Sequence, residues 1–287
     1  MTPRWLLLIP LLLSACGTVP RGGGYYEDDG PETNPPADIA NILDAVPKAE
    51  PRSAYGNKPY SVYGVAYTPL SDTSDYRERG IASWYGKKFH GRRTSSGEPY
   101  DMYGMTAAHK TLPLPSYVRV RNLQNNRVVV VRVNDRGPFL HNRLIDLSYA
   151  AAAKLGILGT GTGVVEVEAV GPDESSTQVV KTYPLQIIPS AVAAEETSNV
   201  PVAGPKLYLQ VGAFAQRDNA VSLRNRLERE ALRPIFVQSP QVTGEAGADT
   251  APVYRVRIGP LASVEEGDRL TERAARLGIR DARIVVE

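Results

Sequence analysis

The chain has 287 residues, 42% of them hydrophobic and 22% charged, with a formal net charge of +2. That composition is globular, and the length suits about two ordinary domains beyond a short leader; the single cysteine, Cys16, excludes internal disulfides. Charge is uneven: residues 17–76 hold four basic and nine acidic residues, residues 78–170 thirteen and seven, and residues 204–287 thirteen and eleven. Only the middle region is clearly basic, and no long basic stripe marks a nucleic-acid face.

Residues 1–15 carry Arg4 and then the apolar run Trp5 to Leu13, too short to span a bilayer and suited to a signal-peptide core. The run ends in Leu13-Ser14-Ala15-Cys16, which resembles the lipobox of bacterial lipoproteins. That resemblance implies cleavage before Cys16 and acylation of its thiol and new amino terminus, and several acyl chains make a stable anchor. The alternative is an ordinary signal peptide with a coincidental cysteine. Gly17 stands where the inner-membrane retention signal would place Asp, so resemblance to enterobacterial sorting implies the outer membrane facing the periplasm.

Residues 16–77 are rich in Gly, Pro, Asp and Tyr without sustained periodicity and are expected to form a lipidated, extended tether. Within it, Tyr60 to Tyr67 alternates weakly, as a segment packing on the next domain would. In residues 78–170, Gly80 to Gly86 reads as a short strand and turn. Tyr117 to Arg121 and Arg127 to Val133 form a hairpin around Asn125-Asn126. Asp146 to Gly156 has a polar start, an alanine-rich interior and a glycine stop, a short helix with Asp146 placed as its N-cap. Gly163 to Val170 alternates as a closing strand. Many short strands and one short helix fit a small closed barrel.

Residues 171–203 read as a second linker, and residues 204–287 hold an internal repeat. Leu207 to Phe214 precedes a helical stretch with Ala220, Leu223 and Leu227 on one face; Tyr254 to Leu261 precedes another with Leu270, Ala274 and Leu277. Ser263 and Glu266 fit a capping box, Gly278 a stop. Strands after each helix complete βαβ-βαβ, a four-stranded antiparallel sheet with two helices on one face, so the chain is a multidomain all-β barrel plus an α+β module.

Five motifs in order carry a family resemblance: Ala82-Ser-Trp-Tyr-Gly86, Thr94-Ser-Ser-Gly-Glu-Pro-Tyr100, Thr106-Ala-Ala-His-Lys-Thr-Leu-Pro113, Val131-Arg-Val-Asn-Asp-Arg-Gly-Pro-Phe139 and Ile145-Asp-Leu-Ser148. They resemble the rare lipoprotein A family, septal-ring-associated lytic transglycosylases with a double-psi β-barrel. The terminal repeat resembles a SPOR domain, a module that binds peptidoglycan strands stripped of stem peptides. The resemblance implies cleavage between N-acetylmuramic acid and N-acetylglucosamine without water, leaving 1,6-anhydromuramoyl ends at the division septum, with septal division proteins as possible partners. The barrel is also similar to that of expansins, some of which loosen wall polymers without cutting, so a non-catalytic wall-binding lipoprotein is the alternative.

A transglycosylase needs a proton donor at the glycosidic oxygen and an acceptor for the C6 hydroxyl proton, and one carboxyl can serve both in turn. Asp135 follows an apolar strand and precedes Arg136-Gly-Pro, a rim position where the family has a required acid; otherwise it is a turn aspartate capping backbone. The family match singles out Glu98, which the residues alone leave as a solvated loop carboxylate. His109 either orients a carboxyl or a sugar, or is a satisfied structural histidine. Asp146 is either the helix cap or a second acid, at a spacing from Asp135 that resembles the expansin pair. Trp84 and Tyr85 either stack on sugar or fill the core.

Strand alternation puts Tyr208 and Gln210 on one face of the terminal sheet, with Arg255 and Arg257 on the matching face. Gln210 and Arg255 stand where the SPOR pattern has glycan contacts. His90, His109 and His141 lack a paired ligand spacing, so neither metal nor cofactor is expected. No Gly-x-Ser-x-Gly elbow is present and the sole cysteine is committed to lipid, which excludes serine and cysteine hydrolases. Export, and the absence of the RNA-recognition aromatics, exclude nucleic acid as a partner.

Overall fold

A computed structural model of the chain describes residues 29–30, 36, 38–172, 204–239 and 253–287. The expected leader, Cys16 and most of the second linker lie outside the described residues.

The barrel closes from six strands: β3 (Arg77–Tyr85), β4 (Thr106–His109), β5 (Ser116–Asn122), β6 (Val128–Asp135), β7 (Ile145–Ser148) and β8 (Gly163–Ala169). Their order around it is β3-β7-β4-β6-β5-β8, with β8 pairing back to β3. The pairs β3–β7 and β4–β6 are parallel, and the others are antiparallel. The expected hairpin is β5–β6, and Asn126 at its turn takes φ 58°, a left-handed value that asparagine tolerates.

Alternation decides what faces inward. Val118, Val120, Val129, Val131, Val133, Val165 and Val167 are fully buried and build the core with Ile145 and Leu147. The intervening outward residues pair by charge, Arg119 with Glu168 at 2.9 Å and Arg121 with Glu166 at 2.8 Å, directly across β5 and β8. Helix α1 (Tyr149–Leu155) closes one end through Ala150, Ala151, Ala152 and Leu155. Its N-cap is Ser148, whose Oγ accepts from Ala151 N, and Gly156 ends it in the left-handed region. Asp146 is therefore not the cap: Ile145 to Ser148 pair as a strand before the helix begins, which moves Asp146 out of the helix and onto the barrel.

The second correction concerns the tether. Residues 38–77 lie along the barrel rather than extending from it. Strands β1 (Tyr60–Val62) and β2 (Val65–Tyr67) form a hairpin, and its Tyr60 hydroxyl donates to Lys110 O. Asn57 exchanges two hydrogen bonds with Leu114, and Asp44 accepts from Val130 N and pairs with Lys154. Glu50 pairs with Arg132 at 2.9 Å. Apolar contacts join them: Ile39 is buried in the barrel core with Ile42 and Ala45 against it, and Tyr60 and Tyr67 stack and meet Phe139. The weakly alternating Tyr60 to Tyr67 thus packs on the barrel as expected, while the isolated contacts before it leave no regular period.

The second module has β9 (Leu207–Phe214), α2 (Arg217–Arg229), β10 (Ile235–Gln238), β11 (Tyr254–Leu261), α3 (Val264–Arg276) and β12 (Arg283–Val286). Its sheet runs β10-β11-β9-β12, all antiparallel. Ser263 Oγ accepts from Glu266 N, while the Glu266 carboxylate reaches back to Ala262 N, one residue earlier than a standard capping box. Leu209, Val211, Val256 and Ile258 meet Ala220, Leu227 and Ala274 of the helices. Ile81 and Val164 of the barrel join that same cluster, so the two domains share an apolar contact.

Leu147 is fully buried at the centre of the barrel. Leu147→Ala is expected to lower unfolding free energy by about 3 kcal/mol, measured by equilibrium denaturation.

Candidate active site

Strand β4 lies between β6 and β7, and its Ala108 is in register with Asp135 on one side and Asp146 on the other. On the far side of β7, Asp146 is in register with Ser83 of β3. Four adjacent strands thus present Asp135, Ala108, Asp146 and Ser83 in one row. The two acids are separated by two strand spacings, roughly 10 Å along the sheet. The small side chain between them leaves a gap, and all four residues line a cleft of about 310 Å³.

Three donors converge on Asp135 Oδ1: Ser95 N at 2.8 Å, Ser95 Oγ at 2.7 Å and Arg136 N at 2.7 Å. The loop carrying Ser95 is itself fixed by Thr94 N donating to Glu98 O and Ser96 N donating to Asn134 O. Asp146 takes a short hydrogen bond from the Ser83 hydroxyl. Burial pushes Asp146 up to about 6, against the pull of that bond and of the Arg143 and Lys110 charges. The two acids therefore have different environments, a condition for separate donor and acceptor roles.

The other predicted acid is held elsewhere. Glu98 accepts two bonds from Arg132, at 2.7 and 2.9 Å, and one from Asn134 at 3.0 Å. Those Arg132 bonds keep its carboxyl below the usual glutamate range. It is not among the cleft-lining residues; its loop delivers Ser95 to Asp135.

His109 follows Ala108 and so points to the opposite side of β4. It is buried; its Nδ1 accepts from Thr111 N and Leu112 N, which leaves the proton on Nε2 to meet the Tyr76 hydroxyl at 2.9 Å. Burial, then Lys110 and Arg136, push it down to about 3, so the ring stays neutral. The site's geometry thus joins Asp135 to Asp146 and leaves Glu98 and His109 outside the cleft.

Trp84 and Tyr85 are core residues with surface on the cleft: Trp84 meets Tyr149 edge-on at 5.5 Å and Tyr85 stacks on Tyr100 at 4.0 Å. Phe89, Phe139, Leu140 and Tyr63 extend the apolar lining, Tyr63 from the tip of the tether hairpin at 81% exposure. Asp29 lines one end, accepting from Gly86 N at 2.7 Å and Lys88 N at 2.9 Å. The backbone there is close enough that a Cβ on Gly86 would meet Gly30 O at 2.2 Å. Sequence reading missed Ser83, Ser95, Ala108, Tyr63 and Asp29. The two serines lie inside recognised motifs, but nothing in the motifs tells which acid each serves.

On the terminal sheet, Tyr208, Gln210, Arg255 and Arg257 share the face away from the helices. Arg257 pairs with Glu287, and its guanidinium lies 6.0 Å from the Tyr208 ring. Among the described residues, Arg257 Nε and Gln238 Oε1 are buried without a hydrogen-bond partner. Tyr208 also meets Phe236 edge-on at 5.5 Å, so this face does carry an aromatic pair.

The chain matches two family models, "Lytic transglycolase" over residues 77–169 and "SPOR domain" over residues 203–284. It is 47% identical over 276 residues to the endolytic peptidoglycan transglycosylase RlpA of Vibrio cholerae serotype O1, covering 96% of this chain and 94% of that one. It is 43% identical over 280 residues to the RlpA of Pseudomonas aeruginosa strain UCBPP-PA14, covering 84% and 80%. A crystal structure of the RlpA SPOR domain from Pseudomonas aeruginosa is 32% identical, with a TM-score of 0.24 over 28% of this chain and 96% of that one.

Titration of half-buried Asp146 and buried His109 has opposite consequences. Native Asp146 holds its proton more tightly than the unfolded chain, so its contribution to stability falls as pH rises from 3.8 to about 6. Native His109 refuses a proton the unfolded chain accepts, so its contribution falls as pH drops from 6.5 toward about 3. In the overlap the two oppose, and Asp146→Asn removes one of them. Denaturant unfolding of Asp146→Asn at stepped pH is expected to lose stability more steeply than wild type between about pH 6 and 4; parallel profiles would contradict the assignment. With both family models matched and whole-length relatives at this identity, the chain belongs to the RlpA family of endolytic peptidoglycan transglycosylases.

Proposed function

We propose that this chain cleaves the bond between N-acetylmuramic acid and N-acetylglucosamine in peptidoglycan strands lacking stem peptides, and that it does so in the Asp135–Asp146 cleft during daughter-cell separation. The observation that carries this reading is the row in which Ala108 separates two acids of unlike environment within one apolar-lined cleft.

In this reading Asp146, half protonated near pH 6, donates its proton to the glycosidic oxygen as the C1–O bond breaks. The C6 hydroxyl oxygen of the same muramoyl residue bonds to C1, and Asp135 takes the hydroxyl proton. The products are a 1,6-anhydromuramoyl end and a free N-acetylglucosamine hydroxyl, and no water is consumed. Ser95 and Arg136 N orient the acceptor; Ser83 orients the donor. Glu98 and His109 act as supports, Glu98 through the Ser95 loop and His109 through the turn at Thr111-Leu112. Trp84, Tyr85, Phe139 and Tyr63 offer sugar rings the apolar walls that carbohydrates pack on.

The terminal sheet retains the enzyme on septal glycan through Gln210, Arg255 and Arg257, and lipid on Cys16 holds the other end at the outer membrane, facing the periplasm. The reading requires no metal or cofactor.

Mass spectrometry of stem-peptide-free glycan incubated with the full chain is expected to show 1,6-anhydro ends, reduced at least about 100-fold in Asp135→Asn. Intact strands from wild type would leave the expansin-like binding function instead. Gln210→Ala combined with Arg255→Ala is expected to weaken retention on the same glycan in a pull-down while leaving the barrel's cleavage of saturating substrate in place.

A further inference from the structure

One loop joins the two acids, and the terminal domain grips it. Between Asp135 at the end of β6 and Ile145 at the start of β7, residues Arg136 to Leu140 form a wall of the cleft. The next residues leave the cleft and contact the other domain. Asn142 Nδ2 donates to Thr271 Oγ1 at 2.8 Å and to Asp268 Oδ1 at 3.3 Å, and Asn142 Oδ1 accepts from Ile284 N at 3.0 Å. Arg143 makes a two-pronged bond to the Asp268 carboxylate, at 3.2 and 2.7 Å.

Arg143 is 5% exposed, so its guanidinium has little water to turn to and relies on that carboxylate for its hydrogen bonds. The loop's other end is held on the barrel side, by Arg136 donating to the carbonyls of His109 and Leu112 and to that of Gly56 in the segment packed along the barrel. Leu144 N donates to Ile81 O, and Ile81 itself packs into the terminal domain's core. Of the cleft wall's two anchors, then, one lies in the barrel and one on α3 and β12.

We propose that the terminal domain is a working part of the catalytic cleft, with Asn142 and Arg143 as positioning residues that act through Asp268 and Thr271. On this proposal the glycan-binding domain does more than deliver the enzyme: its docking sets the wall against which the muramoyl ring is held between Asp135 and Asp146. Removing Asp268 leaves a buried guanidinium unpaired, and the loop must move to return it to water. Displacement of a substrate-positioning wall by about 1 Å lowers turnover severalfold to a hundredfold. The proposal rests on the cleft being the site of glycan cleavage.

The test compares full-length wild type, Asp268→Ala, Asp268→Glu and Thr271→Val on amidase-stripped glycan. Asp268 lies on α3 with its side chain one-third exposed, a position that tolerates truncation without loss of the core. Expected for Asp268→Ala are a kcat roughly tenfold lower with KM within about twofold, unchanged retention on glycan, and faster amide exchange across residues 137–144. Asp268→Glu restores most of the rate, and Thr271→Val, which removes the hydroxyl that accepts from Asn142 and donates to Gly267 O, gives a smaller change in the same direction.

Unchanged kcat in Asp268→Ala, or unchanged exchange of residues 137–144, would overturn the proposal; a loss confined to glycan retention would do the same. A wild-type chain that releases no anhydro ends would overturn the cleavage reading alone, and the exchange measurement would still decide whether Asp268 sets the loop.

Discussion

The placement of β4 between β6 and β7 governs the rest of the molecule. Because Ala108 is in register with Asp135 on one flank and Asp146 on the other, the acids face each other across a single small side chain. A slip of one residue in either pairing would turn one acid to the opposite face of the sheet. Two features hold this arrangement: the fully buried inward set of Val129, Val131, Val133, Ile145 and Leu147, and a one-residue shift in the β4–β6 pairing between Ala107 and Ala108. The shift skips Asn134 and brings Asp135 beside Ala108, although Asp135 shares strand parity with inward Val133. The packing of the barrel and the geometry of its cleft are therefore one constraint.

Around that row the protein fixes its polar groups in layers. Arg132 points outward from β6 between Glu50, from the segment before the barrel, and Glu98, from the loop that serves Asp135. Its two pairs join three separate parts of the chain. Each pair is partly shielded from solvent, where charge-assisted bonds orient groups more firmly than at an open surface. Asp29 and the hairpin tip at Tyr63 extend the same principle to the cleft rim, which residues outside the six strands complete. The shared cluster at Ile81 and Val164 carries it on to the terminal domain.

Much of this architecture is readable from residue order. Alternation in Tyr117 to Arg121 and Arg127 to Val133 marks the β5–β6 hairpin, and the repeated strand and helix pattern after residue 204 marks the second sheet. The misplacement of Asp146 has a specific cause: β7 is four residues long and runs directly into α1, so the polar residue four positions before the helical alanines imitates a cap that Ser148 provides. Motif resemblance picks out Glu98 and His109 but is silent on direction, and direction decides whether a side chain enters the cleft. His109 differs from Ala108 by one position and faces the other way. Ser83 and Ser95 are hidden for a related reason, since their partners become neighbours only when the barrel closes. In residues 38–77 only Tyr60 to Tyr67 alternates; the rest attaches through single apolar contacts such as Ile39 and through carboxylates and backbone groups, which leave no periodicity to read.

The most direct test is a crystal structure of the full chain soaked with a disaccharide ending in 1,6-anhydromuramic acid. The anhydro ring is expected over Ala108, with Asp135 and Asp146 on its two sides and Phe139 against one face. Sugar bound instead in the groove beside His109 and Lys110, with the space above Ala108 filled by protein, would contradict a catalytic row across β6, β4 and β7.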